Sequence, residues 1–191
     1  ANCIEQSAGG FEEYAGIRFS EDGSATVVMG TSSHGQGHET VFRQIVSERL
    51  GLPFERIRVV QSDTDKVPYG HGTFGSRSSG AGGGALMQAA DRIIDKGKII
   101  AAHHLEVAAG DIEVVRGSFT VAGTDRFVSL NKVVQLAFSW RALPPGLEPG
   151  LDESGVFKPP QATFPNGTHV SEVEIDPETG HIALVRYTVC D

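Results

Sequence analysis

The stretch SATVVMGTSSHGQGHETVFRQIVSERLGLPFERIRVVQS, residues 24–62, decides the fold class. Its β-branched opening, Ser24–Met29, follows the turn Glu21-Asp22-Gly23 and reads as a strand. A glycine-bearing loop then leads into His38–Leu50, where Phe42, Ile45, Val46 and Leu50 form one apolar stripe at helical spacing. Glu39 suits the positive end of that helix and can pair with Arg43 four residues on. Gly51 stands where a left-handed residue closes a helix, and Pro53 blocks continuation. Arg56–Ser62 is a second β-rich run. Strand, loop, helix and strand make a βαβ unit, right-handed if its strands are parallel.

Working outward, Arg77 to about Ala109 predicts a longer helix. Leu86, Ala90, Ile93, Ile94, Ala101, Leu105 and Ala108 recur at its spacing, with Gly97 as a weak point. Two β-rich runs around Arg116-Gly117, within Ile112–Val121, predict a hairpin. Ser129 can cap a short helix carrying Leu130, Val133, Val134 and Ala137 on one face. Thr168–Ile175 and His181–Val189 flank Asp176-Pro177-Glu178-Thr179-Gly180, a turn signal closing a second hairpin. The fold class is α+β, mixed sheets with βαβ-type units packed against helices. Residues 1–138 form a strand-helix core, 139–167 an irregular Pro/Gly-rich connection, and 168–191 a closing hairpin. Six of the nine prolines fall between Pro144 and Pro165, and Trp140 and Phe138 are expected to pack beneath that connection.

At 191 residues and 39% hydrophobic, the chain can bury one core. Sixteen basic against 24 acidic residues give a net charge of −8, which argues against a nucleic-acid surface. No stretch approaches the ~20 apolar residues of a membrane span. The Ala1-Asn2-Cys3 start is not a signal peptide, and Cys3 and Cys190 make neither a disulfide framework nor a metal spacing. A cytoplasmic setting is expected. A start without Met, and a strand that looks unfinished at Cys190, suggest a piece of a longer chain.

Glycine is the unusual residue, 24 in all, and it clusters: Gly30, Gly35 and Gly37, then seven between Gly70 and Gly84. Both clusters run straight into helix starts, whose unpaired N–H groups and partial positive charge suit phosphate. Glycines let the backbone approach a ligand closely. Thr40, Ser76, Ser78 and Ser79 add hydroxyls, and Arg77 adds a charged fork. Two such loops brought together could hold the two phosphates of a dinucleotide. A plain reading as tight turns stands beside this one. No Gly-Lys-Ser/Thr follows, so this is not a Walker A loop, and Thr40 replaces the third glycine of a Rossmann fingerprint.

Taken in order, Gly35-Gln36-Gly37-His38-Glu39-Thr40, a helix, Ser62-Asp63-Thr64-Asp65, Pro68-Tyr69-Gly70 and Gly75-Ser76-Arg77-Ser78 are more specific than either loop. The run resembles the large, molybdenum-binding subunit of the xanthine dehydrogenase family of molybdenum hydroxylases, nearest its carbon monoxide dehydrogenase and aldehyde dehydrogenase-like branch. The resemblance is strong over about Gly30 to Ala109. It implies an oxidoreductase holding molybdopterin, as the cytosine dinucleotide, through Gly35, Gln36, Gly37, His38 and Thr40 on one segment. Phe74, Gly75, Ser76, Arg77 and Ser78 match another, with Phe74 and Gly75 nearer the metal. Such an enzyme hydroxylates an aldehyde or N-heterocycle, or oxidises carbon monoxide, with oxygen from water. The resemblance further implies the remainder of the large subunit, iron–sulfur and FAD-bearing partners, and a homo-oligomeric complex.

The family's glutamate base sits in a Gly-x-Gly-Glu segment that this sequence lacks, so no residue here is assigned as catalytic and none as a metal ligand. The fragment alone is expected to be inactive. A stand-alone module using the same loops for another nucleotide or for zinc is the alternative. For zinc, His34, His38 and His71 would have to gather, although Gly35 and Gly37 make the first two a loop. Asp63 and Asp65 lack the remaining ligands of a calcium loop and read as loop caps.

Overall fold

The computed structural model describes residues 1–190; Asp191, the last residue of the expected closing hairpin, lies outside them. In chain order the elements begin β1 (Asn2–Ile4), β2 (Glu13–Phe19), β3 (Ala25–Met29), α1 (His38–Leu50), β4 (Ile57–Val60) and α2 (Gly83–Leu105). There follow β5 (Ile112–Val115), β6 (Ser118–Val121), β7 (Phe127–Ser129), α3 (Leu130–Phe138), β8 (Glu153–Phe157), β9 (Asn166–Ile175) and β10 (Ile182–Cys190). The fold is α+β.

The βαβ unit forms as the periodicity requires. β3 and β4 pair in parallel, Ala25 opposite Ile57 and Val28 opposite Val60, with α1 as the crossover. Two further strands complete this sheet, in the order β4-β3-β2-β8, with β2 antiparallel to both of its neighbours. β8 corrects the expectation of a wholly irregular 139–167. It is short, and its Gly155 is there because a Cβ would lie 2.4 Å from the Ala85 carbonyl oxygen on α2. β2 shows no clean alternation, because all its residues but Tyr14 and Arg18 are buried.

α2 crosses β2 and β8, while α1 lies against β4 and α2. One continuous core results, running from Ile17, Val27 and Met29 through Phe42, Val46 and Leu50 to Leu86, Ile93, Phe119 and Val133. α1 ends at Gly51 in the left-handed conformation, φ 70°, and Glu39 pairs with Arg43. α2 is shorter than the predicted 77–109. A π-helical turn, Ser78–Gly82, precedes it, and left-handed Glu106 closes it. Gly97 is not a weak point: a Cβ there would meet the buried Phe119 ring at 2.7 Å, so glycine lets α2 sit down on β6.

A second sheet, β5-β6-β7, is antiparallel, and its Arg116-Gly117 turn has positive φ at both residues, 48° and 75°. Ser129 Oγ caps α3, accepting from the Lys132 amide at 3.3 Å. A third sheet joins the two ends of the chain, β1-β9-β10. In its turn the Gly180 amide donates to the Asp176 carbonyl at 2.8 Å, with Gly180 at φ 71°. The Trp140 expectation fails. That ring is 75% exposed and meets the Arg141 guanidinium at 5.0 Å, because the connection turns away to deliver β8.

Candidate functional site

Two loops leave the same end of the parallel β3–β4 pair and therefore meet, the place where sites form in such sheets. Their contact is backbone on backbone. A Cβ on Gly30 would lie 2.7 Å from the Gly70 Cα, so both positions need glycine. The Gly72 amide donates to the Gly30 carbonyl at 3.0 Å, and the Ser32 amide to Thr73 Oγ1 at 2.9 Å. The Ser32 and Ser62 hydroxyls bond at 2.6 Å, and those of Thr73 and Ser78 at 2.9 Å.

A cavity of about 440 Å³ opens between the start of α1 and residues 73–79. It brings together Gln36, His38, Phe74, Gly75, Ser76 and Ser78 from the two expected segments, and adds Val41, Phe42, Thr73 and Ser79. Gly35 and Gly37 sit beside it on the α1 loop, at φ 104° and 77°, and a Cβ on either would meet no atom within 4 Å. They are glycine for backbone angle and stand bare. Thr40 is exposed in the first turn of α1, and its side chain is not part of the wall.

Arg77 is a correction. Its guanidinium does not reach the cavity as an anion fork; the residue is 1% exposed and ion-paired to Glu13 at 2.5 Å. Both side chains lie in the interior because β2 passes directly beneath the second loop, which no local pattern reveals.

The cavity's donors are mostly backbone. The Val41 amide makes the first bond of α1, to Gly37 at 3.1 Å, so the amides of His38, Glu39 and Thr40 precede the helical ladder. The Gln36 side-chain oxygen Oε1 accepts from the His34 amide, which leaves the exposed NH₂ to donate outward. His38 Nδ1 lies 3.1 Å from Gln61 Oε1, which also accepts from Thr31 Oγ1 at 3.1 Å. That oxygen can only accept, so neutral His38 carries its proton on Nδ1 and keeps Nε2 as an acceptor. Ser76 spends its hydroxyl on Glu5, and Ser78 shares its own with Thr73, so among the described residues Ser79 is the uncommitted hydroxyl of the wall. Phe42, Val41 and Phe74 supply an apolar side. Such a surface can take an anion at the helix start and a flat group against the exposed Phe74 ring.

Beside the cavity, Tyr69 donates to Glu12 at 2.9 Å and lies 2.8 Å from His71 Nε2. Backbone and Tyr69 hydrogen bonds hold the Glu12 carboxyl below its ordinary range, and that same bond to Glu12 pushes the Tyr69 hydroxyl up. With His38 tied to Gln61 and His71 to Tyr69, the three histidines do not converge. Among the described residues no three His, Cys, Asp or Glu side chains gather as a metal site. Asp63 caps its own loop, accepting from the Asp65 amide at 3.1 Å and from Lys66 Nζ at 2.6 Å.

Glu13 and Gln61 escaped the sequence reading. Glu13 sits in an apolar strand with nothing local to mark it, and the signal for Gln61 was only its place at the end of β4.

A family model of the molybdopterin cofactor-binding domain matches residues 1–191. The carbon monoxide dehydrogenase large chain of Afipia carboxidovorans is 41% identical over 177 residues, 93% of this chain and 22% of the relative. The 6-hydroxypseudooxynicotine dehydrogenase complex subunit gamma of Paenarthrobacter nicotinovorans is 36% identical over 97% of this chain and 23% of its own length. A crystal structure of Cu,Mo-CO dehydrogenase superposes with a TM-score of 0.90 at 36% identity, covering 99% of this chain and 25% of that one. The chain therefore spans about a quarter of the length of the relatives it matches.

Proposed function

The chain belongs to the molybdopterin cofactor-binding domain family, and on that premise we propose that the cavity between α1 and Thr73–Ser79 holds part of a molybdopterin dinucleotide, in its cytosine form. The observation that carries this is the meeting of two glycine loops at a helix start beside a partly apolar cavity. The residues fit the group. Gly35, Gly37, Gly72 and Gly75 have positive φ and open space where a side chain would stand, so a ligand can approach the backbone. The amides of His38, Glu39 and Thr40 would face phosphate, with the Gln36 NH₂ and the Ser79 hydroxyl donating beside them. Phe74 would stand at the end nearer the metal.

When bound, the cofactor supplies the oxidation chemistry: hydroxylation of an aldehyde or N-heterocycle, or oxidation of carbon monoxide, with oxygen from water. This chain's part is to bind and orient. The general base and the remaining cofactor contacts belong to the rest of a large subunit, and electrons leave through iron–sulfur and flavin partners. The bare apolar face of β9–β10 supports packing against that remainder. Both cysteines are free and exposed, in keeping with a reducing, cytoplasmic setting, and the complex we propose is a homo-oligomer. No helix among the described residues is long and apolar enough to cross a membrane.

The test is the full-length parent enzyme, assayed for molybdenum and pterin. Stoichiometric amounts are expected. Gln36→Ala should lower affinity roughly fivefold, the worth of one neutral hydrogen bond at ~1 kcal/mol. A parent protein carrying zinc alone would overturn the assignment.

A further inference from the structure

Glu13 and Arg77 are, respectively, 0% and 1% exposed, and neither touches the cavity. Arg77 Nη1 donates to Glu13 Oε2 at 2.5 Å and to the Gly72 carbonyl at 2.9 Å. Nη2 donates to the Glu12 carbonyl at 2.8 Å and the Phe11 carbonyl at 3.3 Å. Glu13 Oε1 in turn accepts from the Tyr14 amide at 3.0 Å and the His71 amide at 3.3 Å. The pair thus ties the start of β2 to His71, Gly72 and Arg77, both ends of the loop that makes one cavity wall. It also runs under the crossing of the two loops, since a Cβ on Gly30 would strike Glu13 Oε1. The same guanidinium sits 5.1 Å from the ring centre of Phe74, a wall residue.

Between the tied ends, Gly75 and Ser76 are both left-handed, φ 57° and 50°. For a residue with a side chain, such angles persist only where the surroundings impose them. A buried ion pair is a poor device for stability alone, because apolar replacement is often neutral or better. Its location, rather than its energy, is what needs an account. We propose that the Glu13–Arg77 pair is a strut that holds the Gly72–Ser78 loop in its cofactor-receiving shape, making Glu13 and Arg77 positioning residues of the site. This rests on the cavity being the molybdopterin site.

The single change Glu13→Gln strands a buried guanidinium and can unfold the domain, so the decisive variant removes both charges, Glu13→Leu/Arg77→Met. It is compared in the full-length subunit with wild type and with Leu151→Ala, a buried core change outside the cavity wall. Two quantities are read: hydrogen exchange of the cofactor-free protein, and molybdenum and pterin content after loading. The double variant should keep wild-type exchange in α2 while amides 70–78 exchange about tenfold faster, and its cofactor content should fall about tenfold, the scale of lost supporting contacts. Leu151→Ala should lower the melting temperature but leave amides 70–78 and cofactor content alone. Unchanged exchange at 70–78, unchanged cofactor content, or loss of α2 protection along with the loop would each overturn the strut. A wild-type parent without molybdopterin would instead overturn the site's assignment, and the exchange result would then decide the strut by itself.

Discussion

Gly51 answers to two constraints at once. Its φ of 70° ends α1, and a Cβ would lie 2.2 Å from the Arg116 carbonyl carbon, backbone that cannot swing aside. Gly51→Ala should therefore cost about 2–4 kcal/mol, combining left-handed strain with overpacking; the denaturant midpoint measures it, and a loss below ~1 kcal/mol would show that the two turns can part. Gly97→Ala sets two effects against each other. Helix propensity favours alanine by about 1 kcal/mol, but pushing the buried Phe119 ring costs about 1–3. The clash should win, with a lower melting temperature. The first constraint on Gly51 was legible, because a glycine followed by proline two positions on marks a helix end. The second was not, nor was the task of Gly97, because each depends on an atom contributed from far along the chain. Arg77 shows the same limit: its charge was legible, but not whether that charge faced a phosphate or Glu13.

Elements with one clean apolar stripe were legible almost to their ends. α1 begins at His38 and closes at Leu50 as its pattern requires, and α3 is capped by Ser129. β2 was invisible because a strand buried on both faces carries no alternation. The start of α2 was misplaced because four glycines and two serines between Ser78 and Gly84 favour a π-helical turn before regular helix sets in. The β9–β10 hairpin offers a test by pH. The Asp176 carboxylate accepts amides from Glu178 at 2.8 Å and Thr179 at 3.2 Å, and these bonds hold its pKa below the ordinary 3.8. A lowered folded pKa means that the stabilisation is complete above the unfolded value and is lost as pH falls through the folded one. The turn should therefore loosen below about pH 4, and Asp176→Asn should remove that acid-side dependence. Turn chemical shifts followed by NMR across pH 2–6 would show it; equal profiles for both proteins would refute it.

At the scale of the molecule, the β1-β9-β10 sheet stands apart from the core. Register places Val173, Ile175, Ile182, Leu184, Tyr187 and Val189 on one face, all exposed, while Glu172, Glu174, Arg186 and Thr188 share the other. An apolar face of this kind is a liability in a free domain. Residues 1–191 produced alone should self-associate, and Val173→Lys/Leu184→Lys should reduce that without disturbing the core; light scattering and circular dichroism would decide it. The same piece should also fail to retain molybdopterin. Losing four hydrogen bonds supplied by the rest of the parent would cost ~4 kcal/mol, about three orders of magnitude in affinity. Stoichiometric molybdenum in the isolated piece would show that the cradle is complete within it.

The sequence by itself determined the strands and helix of the βαβ unit, both ends of α1, the cap of α3, the two hairpin turns and the two glycine loops, since each is set by residues close together in the chain. Backbone angle, capping and the period of the apolar stripe are short-range properties, and they are written locally. Tertiary structure decided everything that requires two distant segments to touch. It brought Gly30 against Gly70 so that the two loops meet, passed β2 beneath the second loop so that Glu13 met Arg77, and recruited β8 from across the proline-rich connection. The physical reason is that a side chain's type fixes which contacts it can make, whereas burial and partners are set by what else reaches the same volume. Arginine, glutamate and serine were therefore readable as chemistry, but which of them faced the cavity was not.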